Sequence, residues 1–146
     1  MKKIFRNKVG KEVRETIIEE LFDYKGFKCM VVLNKLLVLV YHNHIFQNLK
    51  SIPNWRCGYI GIEQGHPLYK MSYEKIEEKN LISTFRGLTY SEMGDGKVFQ
   101  KGYWWIGFDT MFLRDTKPLS LKKVKELVKE LAEQLTIKNL ILRGLE

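Results

Sequence analysis

The sequence predicts an α+β domain: an antiparallel β-sheet with one long C-terminal amphipathic helix packed on a face. Three observations lead there. Within 121–135, Leu121, Val124, Leu127, Val128, Leu131, Ala132 and Leu135 recur at three- and four-residue spacing, the period of a helix with one apolar face. Ahead of it lie short runs rich in valine, isoleucine and aromatic residues, separated by glycine-centred turns, as strands joined by hairpins would be. Strands first and a helix last is the order of a sheet covered on one side by a helix. With 146 residues, 45% of them hydrophobic, and only 3 prolines, the chain reads as a single domain over 1–146.

The elements follow in chain order. Residues 1–14 hold Lys2, Lys3, Arg6, Lys8, Lys11 and Arg14 against a single Glu12, and read as a basic N-terminal arm, either mobile or a poorly fixed first element. Residues 15–24 fit a helix face through Ile17, Ile18, Leu21 and Phe22. Their second half fits better as a strand entering a Lys25-Gly26 turn, because 27–32 (FKCMVV) is a strong β run. Residues 36–41 (LLVLVY) fit either the second strand of a hairpin turning at Asn34-Lys35 or the continuation of one long buried strand. Residues 42–54 read as a polar connection ending near Pro53, and 56–62 as a strand with Gly58 and Gly61 inside it. Ser72 is placed to cap a short helix over 72–80. Residues 81–90 and 98–108 then read as a hairpin around Met93-Gly94-Asp95-Gly96. Ser120 caps the C-terminal helix, and Pro118 stops what precedes it. Residues 137–145 fit a continuation of that helix or an edge strand.

Charge and cysteine usage bound the partners. A net charge of +8 favours anionic partners: nucleic acid, phosphorylated small molecules or an acidic protein face. It argues against mimicry of nucleic acid, which needs an acidic surface. Cys29 and Cys57 lie in apolar runs and read as free, reduced core residues. No apolar segment follows the basic N-terminus as in a signal peptide, and the apolar run 30–41 is broken by Asn34 and Lys35 and too short to cross a bilayer. The expectation is a cytoplasmic protein with no membrane partner.

Candidate chemistry is sparse. His42 and His44 share one face of an extended segment but lack a third ligand, so no metal is expected, and no motif implies a cofactor. His66, held between Gly65 and Pro67, is placed to act as an acid or base or else to lock its turn. Asp109 ends an apolar strand, as a site carboxylate or as an anchor for the next turn. With Asp115, these form a candidate catalytic set of His66, Asp109 and Asp115. Trp104 and Trp105 are adjacent and so face opposite ways in a strand. One of them beside Arg56, Tyr59, Tyr69, Arg86 and Tyr90 would make a basic aromatic patch suited to stacking on a nucleotide. The alternative is that the second face is simply covered.

CGYIGIEQGHPLY from Cys57, GLTYS from Gly87 and WWIGFD from Trp104 together resemble a family of small uncharacterised bacteriophage and prophage proteins. Tyr24-Lys25-Gly26, Asp115 and the helix over 121–135 fit the same pattern, so the resemblance spans about 21–135, with an apparent insertion over 34–54. Two histidines of the family pattern fall on Phe85 and Phe112, and Arg86 stands where the pattern has glycine. This exchange points to binding or packing rather than metal catalysis. The resemblance implies phage origin and no particular activity. Beside it, the expectation is a phage-encoded accessory protein in the host cytoplasm that binds a host protein or an anionic nucleotide-type ligand at the basic aromatic patch, as in counteracting a host defence. Direct nucleic-acid binding, and a small hydrolase built on His66 with Asp109 or Asp115, are the alternatives. Oligomeric state stays open.

Overall fold

Apolar residues at every second position drive the chain into a sheet. The fold is known from a computed structural model, which describes residues 3–9, 12–40, 45–48, 54–111 and 118–145. Strand β1 (Lys3–Val9) pairs with β2 (Glu12–Tyr24), and β2 turns at Lys25-Gly26 into β3 (Phe27–Val40). Both turn residues have positive φ, 52° and 83°, as a tight twisted hairpin requires. On the edge of β3 away from β2, a short β4 (Ile45–Asn48) folds back on its end and β5 (Trp55–Ile62) pairs along the rest. Helix α1 (Tyr73–Glu78) intervenes before the hairpin of β6 (Tyr90–Met93) and β7 (Trp104–Asp109), and β7 lies against β5. The order across the antiparallel sheet is β1-β2-β3-β5-β7-β6, with β4 off this path.

The C-terminal region is the first correction. The fold is α+β, but in place of one long amphipathic helix there are short ones: α2 (Leu121–Gln134), then α3 (Ile137–Leu142). The break comes at Leu135-Thr136, where Thr136 adopts an extended conformation with ψ of 142° and starts α3 anew. Val124, Val128, Leu131 and Ala132 of α2 are buried against Cys29, Val31, Ile60, Ile62, Ile106 and Phe108 of the sheet.

Three further expectations change. The basic arm is not loose over its length, since 3–9 form an edge strand in register with β2, Phe5 opposite Thr16. Asn34 does not turn the chain. It lies inside β3 with 1% exposure, because Thr16 Oγ1 donates to its Oδ1 (2.9 Å) and its Nδ2 donates to Cys57 Sγ (3.3 Å). The supposed insertion 34–54 therefore begins as sheet, and its residues 41–44 and 49–53 lie outside the described residues. The hairpin of β6 and β7 is present but shorter than expected, because 81–89 is irregular and 94–103 folds as a loop. Asp95 Oδ1 accepts from the amides of Lys97 and Phe99 (2.7 and 3.0 Å), which competes with strand formation there.

The glycines of β5 and β7 position everything near the sheet centre. Gly58 stands opposite Phe108, Tyr59 opposite Gly107, and Gly61 opposite Trp105. Each glycine is a flat spot beneath an aromatic ring. A Cβ on Gly107 would lie 2.2 Å from Tyr59 Cδ1, and one on Gly58 would meet both Val128 of α2 and Phe108 within 2.6 Å.

Candidate binding groove

Alternation gives the sheet two distinct faces. The helix face is described above. The other gathers Ile18, Met30, Val32, Trp55, Cys57, Tyr59, Phe99 and Trp105 into a second core, with Phe5 and Tyr90 packed at its margin. Strands β2 and β7 are three places apart in the sheet, yet Ile18 and Trp105 line one hollow, so this face is concave. The loop 94–103 lies over it, tied by Trp105 Nε1 donating to Gln100 O (3.0 Å) and Gly94 N donating to Tyr103 O (3.0 Å).

Between that loop and the wing of β1, β2 and β3 runs a groove with two lobes. One, about 570 Å³, has Val32, Asn34 and Tyr59 as its floor, with Phe5 and Arg14 on one side and Tyr90 and Phe99 on the other. The second, about 610 Å³, is lined by Lys3, Lys28, Lys97, Gln100 and Lys101, with Asp23 beside them. Each lobe is of ordinary ligand-site size. Both carboxylates in the walls have bonds already: Asp23 pairs with Lys28 (3.2 Å) and Asp95 caps its loop. Lys3, Lys97 and Lys101 have no ion pair among the described residues. Arg14 lies 5.5 Å from the Trp55 ring, a cation–π contact that keeps its charge on the groove side. Burial pushes the Tyr90 phenol up to about 12, with Glu92 and Asp95 adding to the effect, so the ring is neutral at physiological pH.

The seven candidate ligand residues do not form a single patch. Tyr59, Tyr90 and Trp105 come together on the groove face, where Tyr90 stacks on Phe99 at 5.0 Å and both tyrosines meet edge to face at 5.3 Å. Arg56 points to the helix side and is consumed there: it pairs with Glu19 (2.6 Å) and donates to Leu119 O (2.8 Å). A β-bulge at Glu19 turns both Glu19 and Glu20 to that side, Glu20 toward Lys125 of α2. Trp104 packs on the helix-side core and donates to Met71 O, Tyr69 packs there too, and Arg86 donates to Met111 O. The two tryptophans do face opposite ways, and Trp105, the groove-side one, is 2% exposed.

The catalytic set does not assemble either. His66 Nδ1 accepts from Leu68 N (3.0 Å) and Nε2 donates to Leu135 O (2.8 Å), so the ring is neutral with both nitrogens in use. Burial lowers its pKa, against a smaller raising effect from the Leu135 carbonyl. Asp109 accepts from Met111 N and lies opposite Cys57, near the start of β5, whereas His66 follows the end of β5. At about 3.3 Å per strand residue these two side chains are well over 15 Å apart. Asp115, Phe112, His42 and His44 lie outside the described residues. Burial pushes the Cys57 thiol up to about 12, so it is no thiolate nucleophile, and Cys29 behaves alike.

Sequence reasoning missed Phe5, Arg14, Lys3, Lys97 and Lys101 as groove residues. The only signal available was the alternation Lys3-Phe5-Asn7 in a segment too polar to announce itself as a strand. No helix among the described residues is long and apolar enough to cross a membrane. No protein-family model matches the chain, and neither a curated protein nor a solved structure is similar to it at a significant level.

Proposed function

We propose that this protein is a binding module whose groove holds an anionic ligand bearing a planar ring, and that it serves as a phage-encoded accessory protein acting on a host molecule. The observation that carries this is the lining of the groove: aromatic rings of Phe5, Tyr90 and Phe99 beside cations of Arg14 and Lys97, with the wall carboxylates already bonded internally. Rings stack on a base while cations hold the phosphate. The resemblance to phage proteins supports the accessory role and, with it, interference with a host defence.

Direct nucleic-acid binding is the second reading, favoured by the net charge of +8. Calorimetric titration with mononucleotides and with short DNA and RNA, at low and high salt, separates the two. A groove ligand binds one to one, is weakened by Phe5→Ala, and changes modestly with salt. Nucleic-acid binding falls steeply with salt and is indifferent to Phe5. Silence from every probe at low salt would contradict both. The hydrolase reading has little support, given the bonded nitrogens of His66 and the distance of Asp109.

A further inference from the structure

We infer that the ligand is a nucleotide carrying two or more phosphates, its base in the aromatic lobe and its phosphate chain in the lysine lobe; this rests on the proposed binding role and specifies the ligand.

The two lobes differ in chemistry and share only Lys97 and Val98. They lie end to end along the strands. On the groove face β1 runs Lys3 then Phe5, β2 runs Ile18 then Thr16, and β3 runs Met30 then Val32; in each pair the first lines one lobe and the second the other. A step of two strand residues, about 7 Å, is all that separates the lining of one lobe from that of the next, so the lobes adjoin and an elongated ligand can reach into both.

The charge is unequal between the lobes. The aromatic lobe has Arg14 over Trp55, Arg6, whose guanidinium is paired with Glu15 at 2.9 Å, and the shared Lys97. The other lobe carries Lys3, Lys97 and Lys101 with no ion pair among the described residues, and Lys28 with Asp23. The Lys101 side chain lies over Gly96, where a Cβ would meet its Cε at 2.8 Å, so the absence of a side chain there leaves room for its stem. Three cations around one lobe suit a polyanion better than a single phosphate. The lobes are of finite size and the loop 94–103 lies over the face between them, which favours a free nucleotide over a continuous strand.

The test is calorimetric titration of the full chain with adenosine, AMP, ADP, ATP and inorganic triphosphate. Affinity should rise by about tenfold from AMP to ATP, the combined effect of two or three exposed charge contacts. The double variant Lys3→Ala/Lys101→Ala, both exposed and lining only the lysine lobe, should bring ATP down to the affinity of AMP while leaving AMP unchanged. Phe5→Ala should weaken ATP and leave inorganic triphosphate unaffected. Equal affinity for AMP and ATP at a groove still sensitive to Phe5→Ala would overturn the inference and leave the binding role standing. Inorganic triphosphate binding as tightly as ATP would overturn it as well. Absence of binding by every compound would remove both.

Discussion

Gly107 shows how much a missing side chain can determine. Its backbone carries the Tyr59 ring, and a methyl group there would also meet Gly58 O at 2.7 Å. Backbone cannot give way as a flexible side chain can, so Gly107→Ala should cost about 3 kcal/mol, the upper range for overpacking, measured by urea unfolding. A loss under about 0.5 kcal/mol, within the range of neutral surface changes, would mean the ring does not lie on the strand. His66 offers a second residue-scale test. Its folded pKa lies below the unfolded value, so the unfolded chain binds the extra proton first. The histidine's contribution is fully present above about pH 6.5 and is lost as pH falls through the lowered folded pKa. Unfolding measured from neutral pH downward should therefore show a loss of stability that His66→Gln reduces, and identical slopes for both proteins would contradict the neutral, doubly bonded ring. At this scale the sequence was legible where one residue type has one use. Ser72 and Ser120 cap as expected, accepting from Lys75 N and Lys123 N. It misled where a residue has several uses. Asn34 signals a turn but is bonded inside a strand, and Arg56 signals a ligand cation but is spent on Glu19.

Among the elements, β3, β5 and β7 are flanked by strands on both sides and covered on both faces. Strands β1 and β6 are edges. Amide hydrogen exchange should open β1 and β6 first and the centre of β5 and β3 last, because only global unfolding exposes the latter. Early exchange at Ile60 or Val31, both 0% exposed, would contradict this layering. Helix α2 was readable from its period alone, since an apolar stripe needs a face to cover, and Val128 meets that face at Gly58. The break that divides α2 from α3 was not readable, because Ile137, Leu140 and Ile141 keep helical spacing across Thr136. β1 was illegible for the opposite reason. As an edge strand it has Lys3, Arg6 and Lys8 all exposed, and its pairing depends on β2, not on its own composition.

For the molecule as a whole, the concave face is where the proposed binding role stands or falls. Parity within β5 and β7 sends Arg56 and Trp104 to the helix and Tyr59 and Trp105 to the groove, which alternation foretells once the strands are known. The opposing wall could not be foretold, because it depends on the curl of the sheet and the fold of the loop 94–103. The motif residues over 57–69, 87–91 and 104–109 largely hold this frame together: Ser91 Oγ accepts from Tyr73 N, Thr89 N donates to Gly107 O, and His66 ties the turn after β5 to the end of α2 at Leu135. The most direct measurement is a two-dimensional amide NMR titration at low salt with a purine nucleotide. Saturable shifts should concentrate at Phe5, Arg14, Tyr90 and Lys97, with His66 and Asp109 unmoved. Shifts centred on His66 or Asp109, or none at all, would contradict the groove as the functional site.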